Sequence, residues 1–323
     1  MKRIQEEGRV PLYPSLPLAT PFVINVDPSS LCNFRCQFCF HRDRTTLLKQ
    51  RTMLWDTYTK IISDIKEFPN KLKTLRLYAF GEPLLNHKFE DMIKLAKDTN
   101  ICEKVDTTTN GSLFSPKRNI EIINAGIDRI NISVEGVTKE HYKKFSKYNI
   151  DFNKYVDNIA HLYENKRNCV IFIKINGDLI TQEEQQKFLE IFTPISDGIA
   201  IEHVMNCWYD FNLGEIEVNK EVGVYGQPLT YVEVCPYIFY SFCIQSDGLA
   251  SACFLDWNNK LVIGDTSKES VVSIWNGTTL NNLRKLMLTK KRNSHQICKN
   301  CNQLIAGQPE NLDSYIEDLL GKY

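Results

Sequence analysis

Short apolar segments alternate with longer amphipathic segments over the first two thirds of the chain. The apolar segments predict strands at 22–27, 74–80, 104–109, 129–135, 169–176 and 198–205. The amphipathic segments predict helices near 54–67, 87–98, 116–125, 138–165 with an interruption, and 182–193. Six repeats of strand and helix predict an α/β fold with a parallel sheet and right-handed crossovers. We expect a partial (β/α)6 TIM-like barrel; the alternative is a flat doubly wound sheet, against which the absence of G-x-G-x-x-G after the first strand argues.

Polar residues repeat on one face of several predicted strands. In the fourth strand Asn131, Ser133 and Glu135 alternate with apolar residues, and in the fifth strand Lys174 occupies the corresponding polar face. The apolar faces would pack on the helices, which leaves the polar faces to line the barrel. A lumen of this kind would hold a polar ligand, since closed barrels usually fill it with branched apolar side chains. The alternative is that these residues lie at strand ends and simply meet solvent.

The composition is that of a globular protein of 323 residues with 43% apolar and 24% charged residues. Lys plus Arg and Asp plus Glu are both 39, so the formal net charge is zero and no nucleic-acid or anionic-membrane partner is expected. No apolar run approaches the ~20 residues of a membrane span, and the first residues do not resemble a signal peptide. We therefore expect a cytoplasmic protein with a barrel at 15–210, a linker at 211–230, a small domain at 231–310 and a C-terminal segment at 311–323.

Cysteines are the most informative residues of the chain, and three of its eleven lie within eight residues. Cys32, Cys36 and Cys39 have C-x3-C-x2-C spacing directly after the first predicted strand. Three thiolates leave one iron of a four-iron cluster open, whereas a cluster with four Cys ligands is closed. The alternative is a structural zinc site in which His41 is the fourth ligand.

This loop resembles the signature of the radical S-adenosylmethionine (SAM) enzymes, C-x3-C-x-aromatic-C, with Phe38 in the aromatic position. The resemblance implies that the open iron chelates SAM, and that one electron cleaves it to methionine and a 5'-deoxyadenosyl radical. It also implies an electron donor such as flavodoxin or ferredoxin. The similarity extends over roughly residues 20–303.

Further residues match positions that contact SAM in that family. Gly81, Glu82 and Pro83 follow the second strand and resemble the G-G-E-P motif, in which the backbone and the Glu hold the SAM amino group. Phe80 replaces the first Gly of the motif. Asn110, in an Asn-Gly turn after the third strand, and Ser133 and Glu135 in the fourth resemble residues that lie beside SAM.

Four more cysteines follow in the last third of the chain, as C-x12-G-x4-C and C-x2-C: Cys235, Cys253, Cys298 and Cys301. Four thiolates can complete a cluster with no open iron. This pattern resembles the SPASM/twitch extension of radical SAM enzymes and implies one auxiliary four-iron cluster, because no further cysteine follows Cys301. The alternative is a four-Cys zinc ribbon.

The predicted activity is hydrogen abstraction followed by two-electron oxidation of a small polar, sugar-like or aminocyclitol-like substrate. Lys174 and Glu202 are the candidate bases. The alternatives are epimerisation with Cys207 or Cys243 as hydrogen donor, modification of a peptide, and, outside enzymes, a zinc-binding interaction module. Two features favour a small substrate over a peptide: Phe254 stands where sulfatase-maturing relatives carry an Asp, and the chain before residue 15 is too short for a peptide-recognition domain of ~80–90 residues.

Overall fold

The computed structural model describes residues 11–43 and 48–323. Its strands are β1 Val23–Val26, β2 Leu72–Arg76, β3 Cys102–Thr109, β4 Arg129–Val134, β5 Val170–Asn176, β6 Gly198–Glu202, β7 Ser241–Ile244, β8 Leu249–Ser251 and β9 Val262–Asp265. Its helices are α1 Trp55–Ile65, α2 Phe89–Asp98, α3 Pro116–Asn124, α4 Lys139–His141, α5 Phe152–Glu164, α6 Gln182–Phe192, α7 Val271–Asn276, α8 Thr278–Leu288, α9 Gln303–Ala306 and α10 Ile316–Leu320. No helix in these ranges is long and apolar enough to cross a membrane.

The strands form one sheet in the order β6-β5-β4-β3-β2-β1-β7-β8-β9. Strands β1 to β6 are parallel, with helices between them, as a (β/α)6 partial barrel requires. The sheet then continues past the first strand, because β7 pairs in parallel with β1, and β8 and β9 follow antiparallel. The fold class predicted from the sequence is therefore confirmed, and three strands of the C-terminal region are added to the same sheet.

The apolar faces of the strands pack under the helices, as the alternation predicts. Ile130, Ile132 and Val134 of β4 are fully buried, whereas Asn131 and Ser133 between them keep accessible surface. Since strand side chains alternate between the two faces, the opposite face of the sheet lines the barrel lumen. The lumen is therefore bounded by polar side chains over much of its height.

Two predicted strands end earlier than expected, and both differences occur at the edge of the barrel where active-site loops begin. β2 ends at Arg76 rather than 80, and the next amide, that of Leu77, makes a last bond to the carbonyl of Asp106 (2.8 Å). Beyond it the backbone N–H of Phe80 turns away to bond the Asp27 carboxylate (3.1 Å). β6 ends at Glu202 rather than 205, because the amide of His203 bonds the carbonyl of Val224 (2.8 Å) instead of continuing the ladder.

The interruption expected within 138–165 is a π-helical turn at Tyr142–Ser146 that ends at Lys147, whose φ is +56°. Its carbonyls hold the cysteine loop: the amide of Arg35 bonds the carbonyl of Ser146 (2.7 Å), and that of Gln37 bonds Phe145 (2.9 Å). The π-helical turn therefore fixes the position of the loop that carries Cys32, Cys36 and Cys39.

Candidate active site

Three of the predicted cluster ligands lie in the loop that follows β1. Cys32, Cys36 and Cys39 are partly buried. Burial raises the pKa of each thiol, that of Cys39 to about 12, and the nearby carboxylates of Glu82 and Glu135 add to it; the Cys39 thiol also raises the pKa values of Cys32 and Cys36. Electrostatic repulsion of this kind requires that the three thiols lie close together. Bound metal would stabilise the thiolates, because a ligating thiol is deprotonated. Phe38, in the aromatic position, packs against a buried cluster that includes Phe40 and Phe80.

Backbone amides point at the sulfur atoms of both predicted ligand sets. For five of the seven thiols, Cys32, Cys39, Cys235, Cys253 and Cys301, the backbone N–H two residues further on lowers the pKa and so opposes the effect of burial. At Cys32 and Cys253 the N–H···Sγ distance is 3.4 Å. Such bonds stabilise thiolates and tune iron–sulfur clusters. The chemistry of the two donor sets therefore fits iron–sulfur clusters.

Gly81 brings the motif after β2 into direct contact with the cysteine loop. A Cβ on this residue would lie 2.2 Å from the carbonyl oxygen of Ser29 and 2.3 Å from that of Leu31, distances that real Cβ atoms do not adopt. The amide of Glu82 also donates to the carbonyl of Leu31 (2.8 Å). Only glycine allows this approach, so the motif and the loop that carries Cys32 are packed as one unit.

Glu82 is buried and its carboxylate is fully engaged within the protein. It caps the short helical turn that begins at Pro83 by accepting from the amide of Leu84 (3.0 Å). It also accepts from the Thr109 hydroxyl (2.6 Å) and from the amide of Asn110 (2.8 Å). Burial raises the pKa of Glu82, and these donors oppose that effect. The carboxylate thereby joins the turn after β2 to the turn after β3.

Asn110 in turn reaches the cysteine loop, since its side-chain amide donates to Asn33 (2.9 Å). Gly111, next to it, has a φ of +70°, which glycine adopts without strain. The Asn110 carbonyl accepts from the Tyr155 hydroxyl (3.0 Å). The residues predicted beside SAM after β2 and β3 therefore converge on one edge of the sheet.

Glu135 and Ser133 stand at the carboxyl end of β4. Glu135 is buried, and burial raises its pKa to about 7, an effect that the nearby Cys36 thiol opposes. Ser133 lies beside Lys174 in the register of β4 and β5. The structure thus places Glu135 at the cysteine loop and Ser133 one step deeper in the lumen.

Lys174 and Glu202 form an ion pair inside the lumen, with 2.9 Å between Nζ and Oε2. Burial lowers the pKa of Lys174, but Glu202 and the neighbouring hydroxyls of Tyr225 and Tyr78 outweigh it, so the net pKa is raised. The ammonium is therefore charged at neutral pH and is poised to donate hydrogen bonds.

The two candidate hydrogen donors occupy different environments. Cys207 is partly exposed, and burial raises its pKa to about 12, with further contributions from Cys39 and Cys301. It therefore lies near Cys39 of the first group and Cys301 of the second. Cys243 lies in β7 beside Asn25 of β1 and has no accessible surface in this structure.

The C-terminal cysteines converge although they are far apart in sequence. Burial is the main reason that the pKa values of Cys235, Cys253, Cys298 and Cys301 are raised, and the Cys301 thiol raises those of the other three further, which requires that it lies near each of them. The Arg292 side chain supports this region by donating to the carbonyl of Cys298 and to the Tyr231 hydroxyl (both 2.8 Å). A cavity of about 460 Å³ opens beside Cys301, with Arg292 and Trp208 in its wall.

His41, considered as a fourth zinc ligand, has another partner. Its Nε2 is hydrogen-bonded to the carbonyl of Phe80, and burial lowers its pKa to about 4. Within residues 11–43 and 48–323, no three Cys, His, Asp or Glu side chains are arranged around a point where a single metal ion would be held.

Sequence reasoning missed several residues that shape the site. Asp27, at the end of β1, accepts from the Ser30 hydroxyl (2.9 Å) and from the amide of Phe80 (3.1 Å). It thereby joins the cysteine loop to the glutamate motif. Asp27 was visible on the polar face of the first strand, but its partners are distant in sequence. Tyr225, in the predicted linker, lies near enough to Lys174 and Arg76 to raise their pKa values, and no spacing signal in the sequence indicates this.

Comparison with known families accounts for both groups of cysteines. Residues 26–192 match the model of the radical SAM superfamily. Residues 235–302 match the model of the SPASM iron–sulfur cluster-binding domain. The first match contains the three-cysteine loop and the second contains all four C-terminal cysteines.

Two relatives illustrate how far the sequence similarity extends. The tungsten-containing aldehyde ferredoxin oxidoreductase cofactor-modifying protein of Pyrococcus furiosus is 29% identical over 136 residues, which is 37% of each chain. The match therefore spans little more than a third of that protein. GTP 3',8-cyclase of Limosilactobacillus fermentum is 28% identical over 274 residues, 74% of this chain and 80% of the relative.

Solved structures share the fold at low sequence identity. BtrN, crystallised with AdoMet and 2-DOIA, has a TM-score of 0.60 and 18% identity, covering 90% of this chain and 97% of BtrN. Streptococcus suis SuiB, bound to S-adenosylmethionine, has a TM-score of 0.65 and 13% identity, covering 91% and 73%. Together with the matched domains, these relatives imply a SAM-binding four-iron cluster and auxiliary cluster binding. The chain therefore belongs to the radical SAM superfamily and carries a C-terminal SPASM domain.

Proposed function

We propose that this radical SAM enzyme removes two electrons and two protons from a carbon that bears a hydroxyl or amino group in a small polar, sugar-like substrate. The observation that carries the proposal is the Lys174–Glu202 ion pair, which places a hydrogen-bond donor and a carboxylate side by side in the lumen. Cys207 lies near Lys174 and near one cysteine of each predicted ligand group, Cys39 and Cys301. A substrate in the lumen would therefore have the SAM site at one side and the auxiliary ligands at the other.

When bound, SAM and its cluster supply the radical that removes one hydrogen atom, and the auxiliary cluster supplies an acceptor for one electron. The protein must then orient the substrate and accept the proton that leaves with that electron. Lys174, which stays charged because Glu202 raises its pKa, would donate to the substrate oxygen or nitrogen. Glu202 is the better candidate base, since a carboxylate has an acceptor oxygen free for the leaving proton.

The resemblance to BtrN and the residue at position 254 support a small substrate; coverage alone does not, since anSMEcpe, whose match covers 94% of this chain and 96% of its own, was crystallised with the Cp18Cys peptide. The similarity to BtrN covers nearly all of both chains, and BtrN was crystallised with the small ligand 2-DOIA. SuiB binds the precursor peptide SuiA, and this chain covers only 69% of that SuiB chain. Phe254, at the position of the Asp in sulfatase-maturing relatives, packs its ring 5.3 Å from that of Tyr237 and offers no base. A flavodoxin or ferredoxin would supply the electron that starts each turnover.

Epimerisation with Cys207 as hydrogen donor is the second candidate. Cys207 lies near both ligand groups and has accessible surface, whereas Cys243 has none. Both reactions begin with the same hydrogen abstraction and differ in how the substrate radical is resolved. Oxidation needs a base, and epimerisation needs a hydrogen atom from the opposite face.

Turnover in heavy water separates the two reactions. The anaerobically reconstituted enzyme is incubated with SAM, reductant and a panel of aminocyclitols and amino sugars, and the products are analysed by mass spectrometry. A product lighter by two hydrogens, reduced about 100-fold or more in Glu202→Gln, supports oxidation. Glu90→Gln is the matched control, since Glu90 is similarly buried but pairs with Arg118 outside the lumen (2.7 Å). A product with one solvent deuterium that disappears in Cys207→Ala would replace oxidation by epimerisation, and turnover that requires a peptide would refute both.

A further inference from the structure

One level of the lumen carries charged side chains that the proposed reaction does not use. In the register of the sheet, Asn25 lies beside Arg76, Arg76 beside Asp106, and Asp106 beside Arg129. The neighbours of these residues along their strands, such as Leu75, Val105 and Ile130, are fully buried in the core. Strand alternation therefore directs Arg76, Asp106 and Arg129 to the lumen face.

The charges at this level do not balance one another. Two guanidinium groups flank a single carboxylate, which leaves one positive charge. The shortest approach of Arg76 to Asp106 is 3.6 Å between Nε and Oδ2, which is too long for a hydrogen bond. The Lys174–Glu202 pair nearer the cysteine loop is neutral as a unit and does not compensate.

Each of the three side chains has a buried polar atom with no hydrogen-bond partner in the protein: Arg76 Nε, Asp106 Oδ1 and Arg129 Nη2. Arg129 is held in place by its Nε, which donates to Asn131 (2.8 Å), and by stacking 4.9 Å over the Phe172 ring. Its Nη2 is therefore oriented but unused. A buried polar group without a hydrogen-bond partner is destabilising, so the site favours a ligand that satisfies all three atoms.

The lumen is open at this level. The Arg76 side chain is 40% exposed although it lies in the middle of a nine-stranded sheet, and that of Asp106 is 12% exposed. Asp106 and Asn110 are separated by four residues along β3 and its turn, which corresponds to about 13 Å. A substrate that reacts beside the SAM motifs could therefore extend down to the two arginines.

We propose that Arg76 and Arg129 form an oxyanion subsite at the floor of the lumen, with Asp106 between them. The subsite would bind a carboxylate or phosphate group of the substrate, and Asp106 Oδ1 would accept from an adjacent hydroxyl or ammonium group. Two guanidinium groups provide the forked donors that suit either oxyanion. The inference rests on the proposed function for its substrate, since it extends that substrate class to one that carries an anionic group.

Equilibrium binding tests the subsite without turnover. The thermal unfolding midpoint of the reconstituted enzyme is measured in phosphate, acetate and chloride at equal ionic strength. Oxyanion at about five times its Kd is expected to raise the midpoint by about 2 °C over chloride, and this increase is expected to vanish in Arg76→Met and Arg129→Met. Arg118→Met removes an arginine that pairs with Glu90 outside the lumen, and this variant should retain the increase in the unfolding midpoint. Phosphate and acetate also separate the two oxyanion chemistries.

Asp106→Asn distinguishes an oxyanion-binding site from a row of charges, Arg76, Asp106 and Arg129, that only stabilises the fold. Removal of the carboxylate frees both guanidinium groups, so the subsite predicts an oxyanion shift larger than that of the wild type. If the row of charges only stabilises the fold, Asp106→Asn is expected to unfold at a lower temperature, and the increase in midpoint caused by the oxyanion should be no larger than in the wild type. If the methionine variants fail to fold, Arg76→Lys and Arg129→Lys replace them. These variants keep the positive charge but lack the forked guanidinium donors, so the oxyanion is expected to raise their unfolding midpoint less than that of the wild type.

Two results would overturn the inference: no oxyanion shift beyond chloride in the wild type, or an equal shift in the wild type and all lumen variants. As a substrate-level test, glucuronate and glucose 6-phosphate are compared with glucose for stimulation of 5'-deoxyadenosine formation. Stimulation by an anionic sugar but not by glucose is expected. Failure to find an oxidised product would count against the proposed reaction and leave the equilibrium result standing.

Discussion

The two cysteine regions of this enzyme are assembled in opposite ways. The predicted SAM-site cysteines, Cys32, Cys36 and Cys39, come from eight consecutive residues in one loop, whereas the predicted auxiliary cysteines are spread from Cys235 to Cys301. The first group is close together because the chain is short there. The second group meets only because β7, β8 and β9 extend the barrel sheet and bring distant segments together.

The supports of the two regions differ accordingly. The SAM-site loop is fixed mainly by contacts within the barrel, from Asp27, Gly81 and the π-helical turn. The auxiliary region depends on contacts with the end of the chain: the Asp313 carboxylate accepts from the amides of Glu233 and Val234, immediately before Cys235. A local ligand set can therefore be recognised from spacing, while a dispersed set requires the completed fold.

The largest expected effect is loss of the SAM-site cluster in Cys36→Ala. Two thiolates cannot hold a four-iron cluster with one open iron, so 5'-deoxyadenosine formation should fall to background, and iron should fall from about eight to about four atoms per chain. Iron analysis and chromatography of 5'-deoxyadenosine provide the measurement. Cys102→Ala, at a buried cysteine of β3 outside both regions, is the control and should retain both. SAM cleavage at the wild-type level in Cys36→Ala would refute the assignment of this loop as the site of the SAM-binding cluster.

Cys301→Ala is expected to separate the two regions functionally. Iron should again fall to about four atoms per chain, but SAM cleavage should persist, because the three-cysteine loop is intact. Substrate oxidation should be lost, since the electron from the substrate radical has no acceptor. Equal loss of SAM cleavage in Cys301→Ala and Cys36→Ala would show that the two regions are not independent.

Gly81→Ala tests how tightly the SAM-site loop is packed. The new Cβ cannot remain 2.2 Å from the Ser29 carbonyl oxygen, so the loop or the motif must move. Displacement of about 1 Å can cost about 100-fold in rate, and we expect a loss of this size in SAM cleavage with the iron content of the auxiliary region unchanged. Gly321→Ala is the matched control, because its Cβ would meet only the Asp318 carbonyl oxygen at 3.5 Å. Wild-type rates in Gly81→Ala would contradict the close packing.

The smallest effect is expected from Asp313→Ala, which removes the acceptor of the two amides before Cys235. Loss of these bonds should cost about 1–3 kcal/mol of local stability and speed the loss of auxiliary iron to a chelator several-fold. The SAM-site iron, followed separately in the Cys301→Ala background, should be released at the wild-type rate. Asp318→Ala, at an acidic residue on the surface of the same segment, serves as the control. If Asp313→Ala released iron equally fast from both cysteine regions, the conclusion that the two regions have separate supports would be wrong.

Much of the barrel could be predicted from the sequence because its signals are local. Alternation of apolar and polar residues located all six barrel strands, and the capping box at Thr181 and Glu184 is present at the start of α6. The ends of the strands were predicted less accurately. β2 ends at Arg76, and the chain beyond it turns so that the amide of Phe80 bonds Asp27, a partner 53 residues away. Strands β7 to β9 were not predicted, because no helix separates them and they lie outside the alternation of strands and helices that located the other six.

The sequence by itself determined where the chain offers metal ligands: the spacing of Cys32, Cys36 and Cys39 and the four later cysteines mark two sets of thiolates, and the family resemblance that they carry implies iron–sulfur clusters. Tertiary structure alone decided what surrounds that chemistry. It engaged the Glu82 carboxylate with Thr109 and Asn110, paired Lys174 with Glu202, and set Arg76 beside Asp106. The physical reason is range: metal ligation by a short loop depends on neighbours in the chain, whereas pairing of charges in a lumen depends on the register of strands that the sequence separates by dozens of residues.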